Sequence, residues 1–263
     1  MNIIVCIKQV LDTGAAIQIV DKKISSSGSP LIMNPYDEFA VEEAVRIKAA
    51  LSDSKITVFS LGPDSVKETL KRALSMGADN AVHLSDPLFN GLNNLQVAKI
   101  LATAIRKQPF DLILCGRQAV DDDMAQVGPA LAVFLNIPFV TIVTKIKFSE
   151  SFQNADITRQ VEGGREVRKN VALPFLVSCQ KGLNEPRLPS LKGIMSAKKK
   201  EIQKLSLSDL DLDFQALDSQ KNFLKEVKLS LPPERKKGII LEGSDEEKVK
   251  QLVKTIREEE KII

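Results

Sequence analysis

The chain has 263 residues, with 37 Lys and Arg against 34 Asp and Glu and a formal net charge of +3. That length can bury a core in one or two domains, and so small a charge excludes a dedicated nucleic-acid binder, whose affinity rests on a strong basic field. No apolar run approaches the length of a bilayer span, and "MNIIVCIKQV" lacks the pattern of a secretory signal, so a cytoplasmic protein is expected.

Residues 3–10, "IIVCIKQV", form a continuous apolar run with β-branched residues, as expected for a central strand covered on both faces. Residues 15–33 carry "IQIV" and "PLIM" around "SSSGS" and predict an irregular hairpin with an exposed turn. A helix is expected over 35–51, with Ala40, Ala44, Ile47 and Leu51 on one stripe. "ITVFSLG" (56–62) is the next strand. Residues 65–76 form an amphipathic helix with Val66, Leu70, Ala73 and Leu74 inward, and "AVHL" is a short strand. A helix over 95–106, the strand "DLILCG" (111–116) and a helix ending near Asn136 follow. Strands separated by amphipathic helices mean βαβ units, a parallel sheet and right-handed crossovers. The expected fold class is α/β, a doubly wound parallel sheet. Such sheets bind ligands beyond the carboxyl ends of their strands, where strand order reverses.

The second part changes character. Residues 139–148 alternate apolar and polar, and "DITRQV", "REVRKNVAL" and "PFLVSCQ" follow, with Gly163 and Gly164 as a turn; this reads as antiparallel hairpins. After Gly182 the chain is rich in proline and lysine. Residues 183–237 hold few strong periodic elements and would make a poor core alone; such segments are usually functional or disordered, or can wrap a partner. A final helix, "DEEKVKQLVKTIREEEK", puts Val249, Leu252, Val253 and Ile256 on one face. The organisation expected is an α/β domain over 1–182 and an extended segment over 183–263.

Catalytic chemistry has little to work with. Cys6, Cys115 and Cys179 are scattered and odd in number, as buried reduced thiols are. His83 is the single histidine and reads as a strand-end residue with a local hydrogen bond. There is no zinc spacing, no GxGxxG after the first strand and no P-loop. No catalytic residue and no metal are expected, so the function must come from binding.

Three stretches suggest what is bound. In "MNPYDEFAVEEA", Asn34 can cap the helix, Pro35 suits its first position, and Asp37 and Glu38 suit its positive end; alternatively, Asn34 and the first amides face a nucleotide. In "CGRQAVDDDMAQVGPALAVFL", Pro129 belongs in the first turn of its helix or kinks it, so the preceding loop is long. The amides of residues 125–128 can cradle a phosphate there. Asp121, Asp122 and Asp123 would repel that phosphate, but one can cap the helix and another can accept from ribose hydroxyls. As sequence neighbours they converge poorly on a metal. Spacing alone leaves a nucleotide pocket and a simple cap equally open. In "NEPRLPSLKGIMSAKKKEI", Leu188, Leu191, Ile194 and Met195 either pin a loop to its own core or form an exposed anchor rimmed by lysines.

Together these stretches resemble the beta (small) subunit of electron transfer flavoproteins. "VCIKQV", "MNPYDEFAVEEAVRIK", "GRQAVDDDMAQVG", "EGGREV" and "NEPRLPSLKGIMSAKKKEI" fall in that family's order and spacing along nearly the whole chain. The resemblance implies a Rossmann-like, adenine-nucleotide-binding α/β domain with antiparallel additions and an extended C-terminal arm. The arm would wrap an alpha subunit that carries the redox-active FAD. AMP would sit in this chain in a structural role. By position its pocket would be lined by Cys6 (side chain not critical), Asn34, Pro35, Tyr36, Asp37 and Leu61. The acidic loop would complete it with Gln118, Ala119, Val120, Asp121, Asp122, Asp123, Met124, Ala125, Gln126, Val127, Gly128 and Pro129. Leu191 matches the family's anchoring leucine, with Ile194 and Met195 beside it, for acyl-CoA dehydrogenase-type donors. A quinone-reducing acceptor would follow.

The chain also departs from the family pattern. It reads "LPSLKG" around the anchor, and Ser196 stands where a lysine commonly follows the methionine. "AQVGP" is shared with members that bind a second FAD, accept hydride from NADH and bifurcate electrons. Those usually have glycine at the middle of the trio, where this chain has Asp122, which favours AMP. A stand-alone nucleotide-binding protein of the ATP pyrophosphatase or universal-stress type would need a glycine-rich phosphate loop, and none is apparent. A scaffold with a vestigial pocket is the remaining alternative.

Overall fold

A computed structural model describes residues 1–21, 23–25, 28–213, 215, 227–231, 233 and 238–259. The first half of the chain gives β1 (Asn2–Cys6), β2 (Gln9–Leu11), β3 (Gln18–Val20), β4 (Lys23–Ser25), β5 (Leu31–Met33) and α1 (Pro35–Ala50). It continues through β6 (Lys55–Leu61), α2 (Val66–Met76), β7 (Asn80–Leu84), α3 (Asn94–Ile105), β8 (Leu112–Gly116) and α4 (Val127–Leu135). The second half gives β9 (Phe139–Phe148), β10 (Asn154–Val161), β11 (Gly164–Ala172), β12 (Phe175–Cys179), α5 (Leu191–Lys199), β13 (Ile202–Leu205) and α6 (Asp245–Lys254).

Among the described residues nine strands form one sheet, in the order β11-β10-β9-β12-β8-β1-β6-β7-β13. From β9 to β13 across that order every pair is parallel, while β10 and β11 are antiparallel additions at one edge. The chain moves outward from β1 through β6 to β7, then crosses back over β1 to β8. Strand order therefore reverses between β1 and β8. Helices cover both faces, so the central strands are apolar on both sides. Ile3, Val5, Ile56 and Val58 pack with α1 and α2, and Ile4, Phe59 and Ile113 pack with α3 and α4. The helix ends follow local chemistry. Asn93 and Gln96 close a capping box on α3, Gly77 (φ 133°) ends α2, and Asn136 ends α4 in the left-handed region. No helix among the described residues is long and apolar enough to cross a membrane.

Several expectations change. The apolar run 3–10 is two strands. The Ile7 amide bonds Phe59 O and the Lys8 amide bonds the Asp37 carboxylate, and the chain bends so that β2 pairs with β5. The break ends at Lys8 and Gln9, the two polar residues of that run, so the sequence does carry a mark of it. The hairpin of residues 15–33 turns at Asp21, between β3 and β4; Ser26 and Ser27 of the expected turn lie outside the described residues. "PFLVSC" is not hairpin material: β12 lies parallel between β8 and β9 with all five residues buried. Past Gly182 the chain returns to the α/β body, where α5 lies on α2 and β13 adds a strand beside β7. Residues 214, 216–226, 232 and 234–237 of that stretch, and Glu260 and Lys261 of the expected final helix, lie outside the described residues.

Candidate functional site

A cavity of about 300 Å³ opens at the switch point, beyond the carboxyl ends of β1, β6 and β8. Cys6, Ile7 and Lys8 enter it from the end of β1, Leu61 from β6, and Cys115 and Gly116 from β8. Gln126, Val127 and Gly128 bring the first turn of α4 to its rim. First-turn amides have no carbonyl one turn back to bond, so they carry partial positive charge towards the cavity. Pro129, in that same turn, has no N–H to lose. The facing wall is apolar, built by Phe89, Leu92, Val97 and Leu101 before and along α3.

A buried polar junction holds these strand ends together. Asp37, 5% exposed, accepts from the Lys8 amide (2.6 Å), the Asn34 side-chain amide (3.0 Å) and the Gly116 amide (3.0 Å). Burial pushes the Asp37 carboxyl up to about 7, against the lowering effect of those donors. Asn34 does not cap α1 with its side chain. It donates instead to Gln118 O (2.9 Å) and accepts from the Val120 amide (3.1 Å), so it ties the acidic loop to the junction. Gly116 is required because a Cβ there would lie 2.2 Å from Asp37 Oδ1. A Cβ at Gly128 would lie 2.8 Å from Cys115 Sγ.

The three aspartates do separate jobs. Lys8 Nζ bridges Asp121 Oδ1 (2.8 Å) and Asp122 Oδ2 (3.3 Å) at the surface. Asp122 Oδ1 also accepts from the Met124 amide (3.0 Å), and Asp123 accepts from the Gln118 side chain (2.6 Å). Asp123 and Ala125 sit at φ 51° and 53°, which turns the loop back towards α4. None of the three caps α4, whose N-cap Gln126 makes no side-chain cap bond.

Of the expected pocket residues, Cys6, Asn34, Asp37, Leu61, Gln118, Ala119, Asp122, Ala125, Gln126, Val127 and Gly128 line the cavity. Pro35, Tyr36, Val120, Asp121, Asp123, Met124 and Pro129 lie outside that lining. The lining also holds Lys8 and Arg117, which lie inside "VCIKQV" and "GRQAVDDDMAQVG" without being among the expected pocket residues, and the apolar wall. Val97 and Leu101 recur at helical spacing, a pattern indistinguishable from core in the sequence.

The three cysteines are free and buried, and burial pushes the Cys6 thiol up to about 12. Buried His83 places Nε2 2.9 Å from Gly62 O. Outside the cavity lining, Leu188, Leu191, Ile194 and Met195 are 83%, 81%, 40% and 66% exposed, so they do not pin their segment to the core. On α6, Val249, Leu252 and Val253 are exposed as well.

A family model described as "Electron transfer flavoprotein domain" matches residues 22–210. Over 265 residues the chain is 40% identical to the "Electron transfer flavoprotein subunit beta" of Bacillus subtilis (strain 168), covering 100% of both chains. The chain belongs to the electron transfer flavoprotein beta-subunit family. It is also 42% identical over 258 residues to the protein of that name in Thermoanaerobacterium thermosaccharolyticum, covering 97% of this chain and 98% of that one. With the mitochondrial subunit of Oryza sativa subsp. indica it shares 37% identity over 251 residues, covering 94% and 95%. Membership agrees with the expectation drawn from motif order, and the largely parallel α/β sheet agrees with the fold that it implied.

Proposed function

We propose that this chain is the small subunit of a heterodimeric cytoplasmic electron carrier. It holds AMP structurally in the switch-point cavity and docks acyl-CoA dehydrogenase-type donors through Leu191. The cavity carries the reading. At about 300 Å³ it stands at the small end of ligand pockets, roughly 300–1,000 Å³, a size that suits a mononucleotide better than a dinucleotide. Its residues fit that ligand: Phe89, Leu92, Val97 and Leu101 offer an apolar wall to a purine, and the amides opening α4 suit one phosphate. Asp122 lines the cavity as well, held there by Lys8.

The relatives' names, each a subunit beta, support a partner chain. Exposed apolar residues on α6 supply surface for the alpha subunit, within a C-terminal arm beyond β13. An FAD held by the alpha subunit would supply the redox chemistry, with electrons leaving towards a quinone-reducing acceptor. This chain's residues bind and orient.

The test is to co-express both subunits, denature the purified complex and quantify the released nucleotides by chromatography. FAD and AMP in equal amounts are expected. Two FAD per complex with no AMP would overturn the AMP reading and replace it with a bifurcating carrier that accepts hydride from NADH. A stable monomer holding one nucleotide would overturn the heterodimer.

A further inference from the structure

Two carboxylates on α1 serve neither the cavity nor the surface. Glu42 and Glu43 are 4% and 8% exposed. Buried carboxylates are costly unless paired and hydrogen-bonded. Both are committed to the segment just before the exposed apolar cluster. Arg187 grips Glu42 as a fork, Nε to Oε2 at 2.7 Å and Nη2 to Oε1 at 2.8 Å, and its own amide adds a third bond at 3.2 Å. The Asn184 side chain donates to Glu43 Oε2 (2.9 Å) and to Phe39 O (3.0 Å). Two acceptors face that nitrogen, so only a donor fits there.

The cluster is mounted at a second point. Ser190 caps α5 through the Gly193 amide (3.0 Å), and a Cβ on Gly193 would lie 2.3 Å from Ser75 O on α2. Lys200, just past α5, donates to Ala78 O. The helix is therefore clamped on one side while Leu188, Leu191 and Met195 stand in solvent on the other.

We propose that Glu42, Glu43 and Gly193 are positioning residues for docking, holding residues 184–199 so that the apolar anchor meets its partner already ordered. The inference rests on the reading of Leu191 as the anchor. Pre-ordering removes an immobilisation cost from binding, so loosening the mount weakens affinity on the order of tenfold without touching any contact residue.

The experiment uses the intact heterodimer with an acyl-CoA dehydrogenase as donor. Asn184→Asp sets a carboxylate against two acceptors, and Gly193→Ala lifts α5 off α2. The double variant Glu42→Gln/Arg187→Gln loosens the latch while leaving no buried charge unpaired, so it stays informative if the others fail to assemble. Two quantities are read: amide hydrogen exchange over residues 188–199, and KM for the dehydrogenase separated from kcat. Faster exchange, KM raised about tenfold, kcat unchanged and nucleotide content unchanged are expected. Unchanged KM overturns the proposal, whether or not exchange quickens. Leu191→Ala separates the two failures. If it raises KM while the mount variants do not, the anchor stands and the mount falls; if it does not, the anchor reading falls and takes this inference with it.

Discussion

Replacing Gly116 with alanine tests whether the junction at Asp37 is what holds the cavity together. The new Cβ would lie 2.2 Å from Asp37 Oδ1 and 2.8 Å from both the Tyr36 carbonyl carbon and Tyr36 Cβ, where ordinary contact starts at 3.4 Å. Asp37 cannot retreat without releasing the Lys8 amide at 2.6 Å and the Asn34 side chain at 3.0 Å. The end of β8 must therefore move away from α1 by about 1 Å, the shortfall against ordinary contact. Overpacking of this kind costs about 1–3 kcal/mol. Stretching the Gly116 amide off its buried carboxylate adds about 1–3 kcal/mol. The sum, about 2–6 kcal/mol, is a large part of a domain's stability of roughly 5–15 kcal/mol. Gly164→Ala is the control: no heavy atom lies within 4 Å of its Cβ, so its effect should stay within about 0.5 kcal/mol. The assay is urea unfolding of the heterodimer at fixed protein and nucleotide concentration, since bound ligand shifts apparent stability. Coincident midpoints for the two variants would refute the reasoning, because the close approach at Gly116 would then be carrying no constraint.

The other expectations concern charge and docking. Burial raises the Asp37 carboxyl from 3.8 to about 7, so the folded state binds this proton more tightly than the unfolded state. The resulting stability is complete below about pH 4 and is lost as pH rises through about 7, up to about 4 kcal/mol in all. The gap between the parent complex and Asp37→Asn should therefore narrow or reverse from pH 4 to 8, and parallel unfolding profiles would contradict it. Asp122→Gly removes a surface ion pair and the bond to the Met124 amide, together worth about 1 kcal/mol. It should weaken AMP retention roughly fivefold, as read by nucleotide content after gel filtration; unchanged content and dimer stability would argue against a role for the trio in shaping the pocket. Leu191→Ala should shift stability by less than about 0.5 kcal/mol, because the side chain already stands in solvent. It should raise KM for the donor dehydrogenase by about tenfold or more with the flavin spectrum intact, and unchanged turnover at low donor concentration would remove its anchoring role.

Much was legible in the residue order because the physics behind it is local. Of the stripe Ala40, Ala44, Ile47 and Leu51 the first three are buried, while Leu51 is half-buried and ends α1; the set Val66, Leu70, Ala73, Leu74 is buried as its helical spacing requires. Alternating strands and helices imply crossovers of one hand, so a doubly wound sheet with a crevice at its switch point follows before any contact is known. Pro129 in the first turn of α4 follows from backbone chemistry alone. The roles of Asn34 and Asp37 could not be read that way. Capping is a contact within four residues, and in the sequence it accounts for both. Their actual partners lie 84, 86 and 79 positions away at Gln118, Val120 and Gly116. The same holds for β12, whose place between β8 and β9 depends on pairing along the whole sheet, and for β13, which borrows an edge it does not build. Glu42 and Glu43 look like the solvated side of an amphipathic helix until Asn184 and Arg187 arrive from more than 140 residues downstream. Periodicity reports which face of an element is apolar, and only tertiary closure decides which distant donors meet a carboxylate that the fold has taken out of water.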